Sequence, residues 1–251
     1  MTFRTILCCI AATAALSPAW VLAVPITLVG AGTWNNVTPP NTVNLTGLGT
    51  NVLTWGTPLD QNSSGYTFAG NTVTVDPLDG TVFTVGTFTH NNFRISGSPT
   101  PASIQGATLL VDFNISNGVS VDRAFTFNFL HNETPNGANP CPFPFSHPNP
   151  GGGGCEDVVS LETVFSQEIL GFGGQALKLE IIGFLTAGGT LVDQFLTAEN
   201  ASNSASIQAR FTSSFPVANV PTPTSIALFG LGLSGLWLTA ARKKNHFLCT
   251  G

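Results

Sequence analysis

Phe125, Phe127 and Phe129 alternate with Ala124, Thr126 and Asn128 in one short run. An extended strand sends successive side chains to opposite faces, so this run places three aromatic rings on one surface. A sheet with such a face needs a second layer to cover it, which points the chain toward a layered β architecture. His131 falls on the same parity and is expected to cap that face.

The pattern recurs. Asn71–Val75, Thr81–His90, Thr108–Ile115, Ala124–His131, Asp157–Thr163, Leu177–Phe184 and Ser206–Thr212 all read as strands rich in Val, Ile, Thr and Phe. Asp79-Gly80, Ser96-Gly97-Ser98-Pro99 and Asn117-Gly118 supply turn chemistry between them. No helical periodicity of useful length falls between the two ends of the chain, and no repeat of fixed period is present. The expected fold is all-β, an antiparallel β-sandwich of jelly-roll or immunoglobulin-like type over residues 24–219. A body of that size can bury a substantial core without obligatory staples.

Charge narrows the partners. Asp, Glu, Lys and Arg make up only 8% of the 251 residues, against about 25% in an average globular domain. Residues 24–219 hold all thirteen acids and four of the eight basic residues, a net charge of −9. Phosphate backbones would repel such a body, so nucleic acid is not an expected partner.

Both ends are apolar. Arg4 precedes the Ala-rich run Ile6–Leu16, and Val21 and Ala23 satisfy the small-residue rule at a cleavage site. Residues 1–23 therefore read as a secretory signal peptide, with Ala19 as an alternative cut. At the other end, Val220-Pro221-Thr222-Pro223-Thr224 forms a spacer at 220–224, and the uncharged segment Ser225–Ala241 follows. Seventeen residues at about 1.5 Å each reach about 26 Å, enough for a single transmembrane helix in a thin bilayer. Arg242, Lys243 and Lys244 then open a basic tail over 242–251. By the positive-inside rule this tail stays in the cytoplasm and the body lies outside.

Cys8 and Cys9 belong to the signal peptide and Cys249 to the tail, which leaves Cys141 and Cys155 in the exported body. A disulfide closing the Pro- and Gly-rich loop between them suits an oxidising compartment and would stabilise by about 3 kcal/mol. The alternative is a metal site formed by Cys141, His147 and Cys155.

The order of spacer, Gly-containing apolar segment and basic cluster resembles the PEP-CTERM sorting signal of Gram-negative bacteria. Val220, Pro221 and Pro223 match its motif, and Thr222 stands where the family carries Glu. The resemblance implies processing by an exosortase, a membrane-embedded sorting enzyme. Within the body, Trp34-Asn35, Trp55-Gly56, Ser64-Gly65-Tyr66-Thr67-Phe68 and Gly86–Phe93 follow one another. Thr89-His90-Asn91-Asn92 lies inside the last of these, and His131–Asn136, Cys141-Pro142 and Cys155-Glu156-Asp157 come later. This succession resembles the THxN family of PEP-CTERM proteins, related to the choice-of-anchor K domain. The resemblance implies an exported surface or matrix protein with a structural or adhesive role in an exopolysaccharide or biofilm layer. It supplies no catalytic residues.

The residues themselves leave three kinds of chemistry open. His90 and His131 could each be a neutral imidazole bonded to a neighbouring Thr or Asn. Either could also serve a hydrolase as general base, or act as a ligand paired with Glu133 or Asp157. No nucleophile elbow, zinc-protease helix or phosphate-binding loop accompanies them. Glu133, Glu156 and Asp157 are candidate calcium ligands, calcium being the one cofactor entertained. Trp34, Trp55 and Tyr66 could stack on sugars in a glycan-binding module, or pack the core. The expectation is a non-enzymatic protein.

Overall fold

In the computed structural model, residues 25–116, 120–149, 154–162, 167–172 and 175–213 are described. The expected signal peptide, sorting spacer, transmembrane segment and basic tail lie outside them, as does the Asn117-Gly118 turn. Among the described residues all regular structure is strand.

Thirteen strands follow in order: β1 (Ile26–Thr38), β2 (Val52–Trp55), β3 (Ser64–Gly70), β4 (Thr72–Val75), β5 (Phe83–Asn92), β6 (Gly106–Ser116) and β7 (Ser120–Asn132), then β8 (Asp157–Leu161), β9 (Gln167–Phe172), β10 (Gln175–Thr186), β11 (Leu191–Val192), β12 (Gln194–Thr197) and β13 (Ala201–Ser213). They form two antiparallel sheets. One runs β12-β8-β7-β6-β1-β4; the other runs β11-β10-β13-β5-β3-β2, with β9 also on β10. The sheets share a single apolar core, so the body is a β-sandwich.

The seven expected strands are all present, several of them longer than expected. Six more join them. β1 is the instructive addition, because Gly30 and Gly32 interrupt its apolar alternation. Gly32 is needed where it stands: a Cβ there would lie 2.4 Å from Cδ1 of Phe68 in the opposite sheet.

The core is aromatic through its middle. Phe88 of β5 stacks on Phe129 of β7 with centroids 5.0 Å apart, and Trp34 of β1 lies 5.2 Å from Tyr66 of β3. Each pair joins one sheet to the other. The Phe125–Phe127–Phe129 face points inward as its alternation requires, and His131 follows it inside.

A β-bulge decides where the other histidine points. Ile207 of β13 pairs with Gly86, but its neighbour Gln208 pairs with Thr84, so β5 carries an extra residue at Val85. Inward positions on β5 are odd before the bulge (Phe83, Val85) and even after it (Phe88, His90, Asn92). Without the bulge, His90 would face solvent. Gly86 makes the kink possible, because a Cβ there would meet both Phe68 Cζ and the Ala69 carbonyl at 2.5 Å.

Candidate functional site

Past Phe88 and Phe129 the space between the sheets turns polar. β5 supplies His90 and Asn92, β7 supplies His131, β8 opens with Asp157, and β12 ends with Thr197. Glu133 and Glu199 enter from the segments that follow β7 and β12. His90, Asn92, Asp157 and Thr197 are fully buried, and His131 is 3% exposed. Loops close this end: the His131 N–H donates to the Gln105 carbonyl (2.9 Å), and Asn136 Nδ2 donates to the Ile95 carbonyl (2.7 Å).

The two imidazoles, expected separately, come together with centroids 5.1 Å apart. Trp55 stacks on His90 at 5.9 Å and meets His131 edge-on at 5.4 Å. Tyr66, the single tyrosine of the chain, shares a 2.6 Å hydrogen bond between its Oη and His131 Nδ1. His131 Nε2 faces Glu133 Oε2 at 3.1 Å, and the Ser103 hydroxyl donates to that same oxygen at 2.8 Å.

Around His90 the hydrogen bonds specify a tautomer. Thr197 Oγ1 lies 2.8 Å from His90 Nδ1 and 3.4 Å from the Asp157 carbonyl. Its one proton goes to the carbonyl, which can only accept, so the hydroxyl oxygen accepts from Nδ1–H. Nε2 of His90 then carries a lone pair, and it has no hydrogen-bond partner. Asn92 Nδ2 donates to the Thr197 carbonyl at 2.9 Å, which holds β12 against β5 across the sandwich.

Asp157 is held on one side only. Its Oδ1 accepts from the Thr134 N–H at 2.7 Å, and its Oδ2 is buried without a partner. The Thr134 hydroxyl donates to the Cys155 carbonyl at 2.6 Å. Cys155 is bonded to Cys141, so the disulfide anchors the segment that delivers Asp157. Both carboxylate oxygens of Glu199 are buried and unpartnered, while its N–H donates to Asn149 Oδ1 at 3.0 Å.

Burial shapes the protonation of the whole group. It holds His90 well below the ordinary imidazole range, with the charge of His131 adding to the effect. It drives His131 down to about 4, opposed by the attraction of Asp157. It raises Glu133 to about 7 against the Ser103 hydrogen bond, and raises Asp157 well above the carboxylate range, helped by Glu133. Glu199 rises to about 7 through burial and Glu133, opposed by Arg94. Desolvation thus disfavours charge on five neighbouring groups at once.

The expected site residues fare unequally. Trp34, Trp55 and Tyr66 are all fully buried, so none offers a face to a sugar. Their role as stacking residues is replaced by core packing, since inward parity in β1, β2 and β3 places all three rings between the sheets. Among the described residues, Phe145 is the aromatic ring that stands in solvent, at 58% exposure. It borders an open hollow shared with Pro144, His147 and Leu191. The Cys141–Cys155 disulfide takes both thiols, which removes the alternative metal site with His147. Of the three calcium candidates, Glu133 and Asp157 converge, but Glu156 does not. Its carboxylate pairs with His147 Nδ1 at 3.1 Å on an exposed loop.

The Thr89-His90-Asn91-Asn92 motif divides its labour by parity. Thr89 bonds the Ser204 hydroxyl at 2.8 Å and Asn91 Oδ1 accepts from Ser202 at 2.7 Å, both on the outer face against β13. His90 and Asn92 enter the buried cluster. Tyr66 and Thr197 as partners of the histidines, and Glu199 beside Asp157, fall outside the sequence expectations. Only the buried parity of their strands could have suggested the first two, and Glu199 carried no signal of its own.

No protein-family model matches this chain, and no curated protein matches it either.

Proposed function

We propose that this chain is an exported protein of the cell surface or extracellular matrix of a Gram-negative bacterium, with a structural or adhesive role in an exopolysaccharide layer and no catalysis of its own. The observation that carries export is the Cys141–Cys155 disulfide, a bond that persists in oxidising compartments and is rare in a reducing cytosol. Burial of both histidines between the sheets supports a structural reading of the interior over a hydrolytic one. The matrix role rests on the resemblance to the THxN and PEP-CTERM proteins. On that reading an exosortase acts near Pro221–Thr224, after residues 225–241 have held the protein transiently in the inner membrane.

Intact mass spectrometry of the protein from each fraction of its native host tests this. The expected species begins near Val24, ends in the 221–224 region, contains the intact disulfide and is found at the surface or in the medium. A chain that keeps Ser225–Gly251 and stays in the inner membrane would overturn the matrix assignment and make the protein a periplasm-facing anchor.

A further inference from the structure

We propose that the buried cluster is a binding site for a divalent first-row transition-metal ion, held by His90, His131 and Asp157, with Glu133 and Glu199 gathered on the Asp157 side. Two groups of potential ligand atoms, His90–His131–Asp157 and Glu133–Asp157–Glu199, each lie within 4.8 Å of one another. Asp157 belongs to both, so the two groups meet at its carboxylate. Ligands about 2.1 Å from a common ion at tetrahedral or octahedral angles stand roughly 3.0–3.4 Å apart. The 3.1 Å separation of His131 Nε2 and Glu133 Oε2 is of that size.

The hydrogen bonds around the cluster point the same way. A metal-bound imidazole characteristically commits its other nitrogen to an oxygen partner, which fixes the tautomer and the ring plane. His90 does this through Thr197, and His131 faces Tyr66 Oη through Nδ1. Asp157 uses one oxygen on the Thr134 N–H and leaves the other free. The remaining atoms are the ones a cation needs: His90 Nε2, Asp157 Oδ2 and both oxygens of Glu199 are buried and unpartnered. Orphaned acceptors at this density are costly in a folded interior, and a cation beside Asp157 would satisfy the His90 Nε2 and Asp157 Oδ2 pair.

The donor set selects the class of ion. Calcium takes six to eight oxygens and has little use for imidazole, whereas mixed imidazole and carboxylate ligation suits ions of the zinc, iron and manganese kind. The ligands come from both sheets and the site is closed, so the ion would act as an internal cross-link between the two layers.

The test uses the full chain. It is purified without chelator for elemental analysis, then stripped, and cobalt(II) is titrated while visible absorption and melting temperature are followed. The expected results are a stoichiometric transition metal as isolated and a melting temperature lowered by stripping and restored by zinc or cobalt. A cobalt spectrum of imidazole–carboxylate ligation should appear. His90→Gln and Asp157→Asn should each weaken cobalt binding by more than about 100-fold, while His147→Ala on the exposed loop leaves it unchanged. The wild-type melting shift needs no variant and stands even if the cluster substitutions fail to fold. A wild-type chain that holds no metal and whose melting ignores zinc, manganese and cobalt would overturn the proposal. So would stabilisation by calcium alone.

Discussion

The same two strands build both ends of the sandwich interior, and the ends differ completely. Inward residues on β5 run Phe83, Val85, Phe88, His90, Asn92; on β7 they run Phe125, Phe127, Phe129, His131. At the first end, Phe83 meets Phe211 at 5.3 Å and Phe113 meets Phe125 at 5.4 Å. There burial is its own reward, at about 25 cal/mol per Å² of apolar surface removed from water. At the second end burial is equally complete, yet it works against the groups enclosed. Among the described residues, the buried side-chain polar atoms without partners belong to Trp55, His90, Asn92, Asn136, Asn149, Asp157 and Glu199. All of these sit in or beside the cluster. Burial alone therefore does not distinguish packing from function; unsatisfied hydrogen-bonding capacity does.

Three experiments separate the ends. Phe113→Ala removes a ring that is 1% exposed from the apolar end. It should cost about 3–5 kcal/mol in denaturant unfolding and leave the chemistry of the cluster untouched. A loss below 1 kcal/mol would mean that this end is loosely packed.

The second experiment follows melting temperature against pH in the presence of chelator. His131 falls from 6.5 unfolded to about 4 folded, so the unfolded state binds more protons in that window and stability is lost as pH drops through it. Glu133 and Glu199 rise from 4.5 to about 7, so the folded state binds more protons and stability is lost as pH climbs through 7. Between 4.5 and 6.5 the two carboxyl groups outweigh the single imidazole, so the expected profile peaks near pH 4.5, falls steadily toward 7 and drops on the acid side. A profile flat from 4 to 7 would show that the cluster is hydrated rather than dry.

The third is Thr197→Val, nearly isosteric, which strips the oxygen from His90 Nδ1–H. An unpaired buried donor should cost about 1–3 kcal/mol. No change would mean that His90 adopts the other tautomer at no cost.

Much of this architecture was legible in the amino-acid order. The Phe125–His131 face and the seven clearest strands follow from period-2 alternation, and the disulfide follows from two cysteines around a Pro- and Gly-rich loop. Strands β1 and β3 were hidden because glycine reads as a turn signal, while Gly32 and Gly65 sit where a side chain would collide with a neighbouring strand. The inward turn of His90 was hidden for a different reason. It depends on the bulge at Val85, and a strict alternation carried on from Phe83 sends His90 the wrong way. The meeting of His90, His131, Asp157 and Glu199 is a product of sheet order, which no local pattern encodes. For Trp34 and Trp55, packing and stacking roles look alike in sequence, and only the parity within β1 and β2 separates them.

One feature of the second sheet bears on how the molecule comes into being. β13, the last strand among the described residues, lies in the middle of its sheet between β10 and β5. A chain that emerges from its N-terminus, through a ribosome or a translocation channel, exposes β5 long before its neighbour arrives. The pairing of His90 with Asn203 closes a loop of 113 residues, an entropy cost met before any contact repays it. Until Ser213 is free, one edge of β5 stays open and the two layers cannot be sealed. The second sheet is therefore completed late, and the open edge of β5 needs protection from edge-to-edge association in the interval before closure.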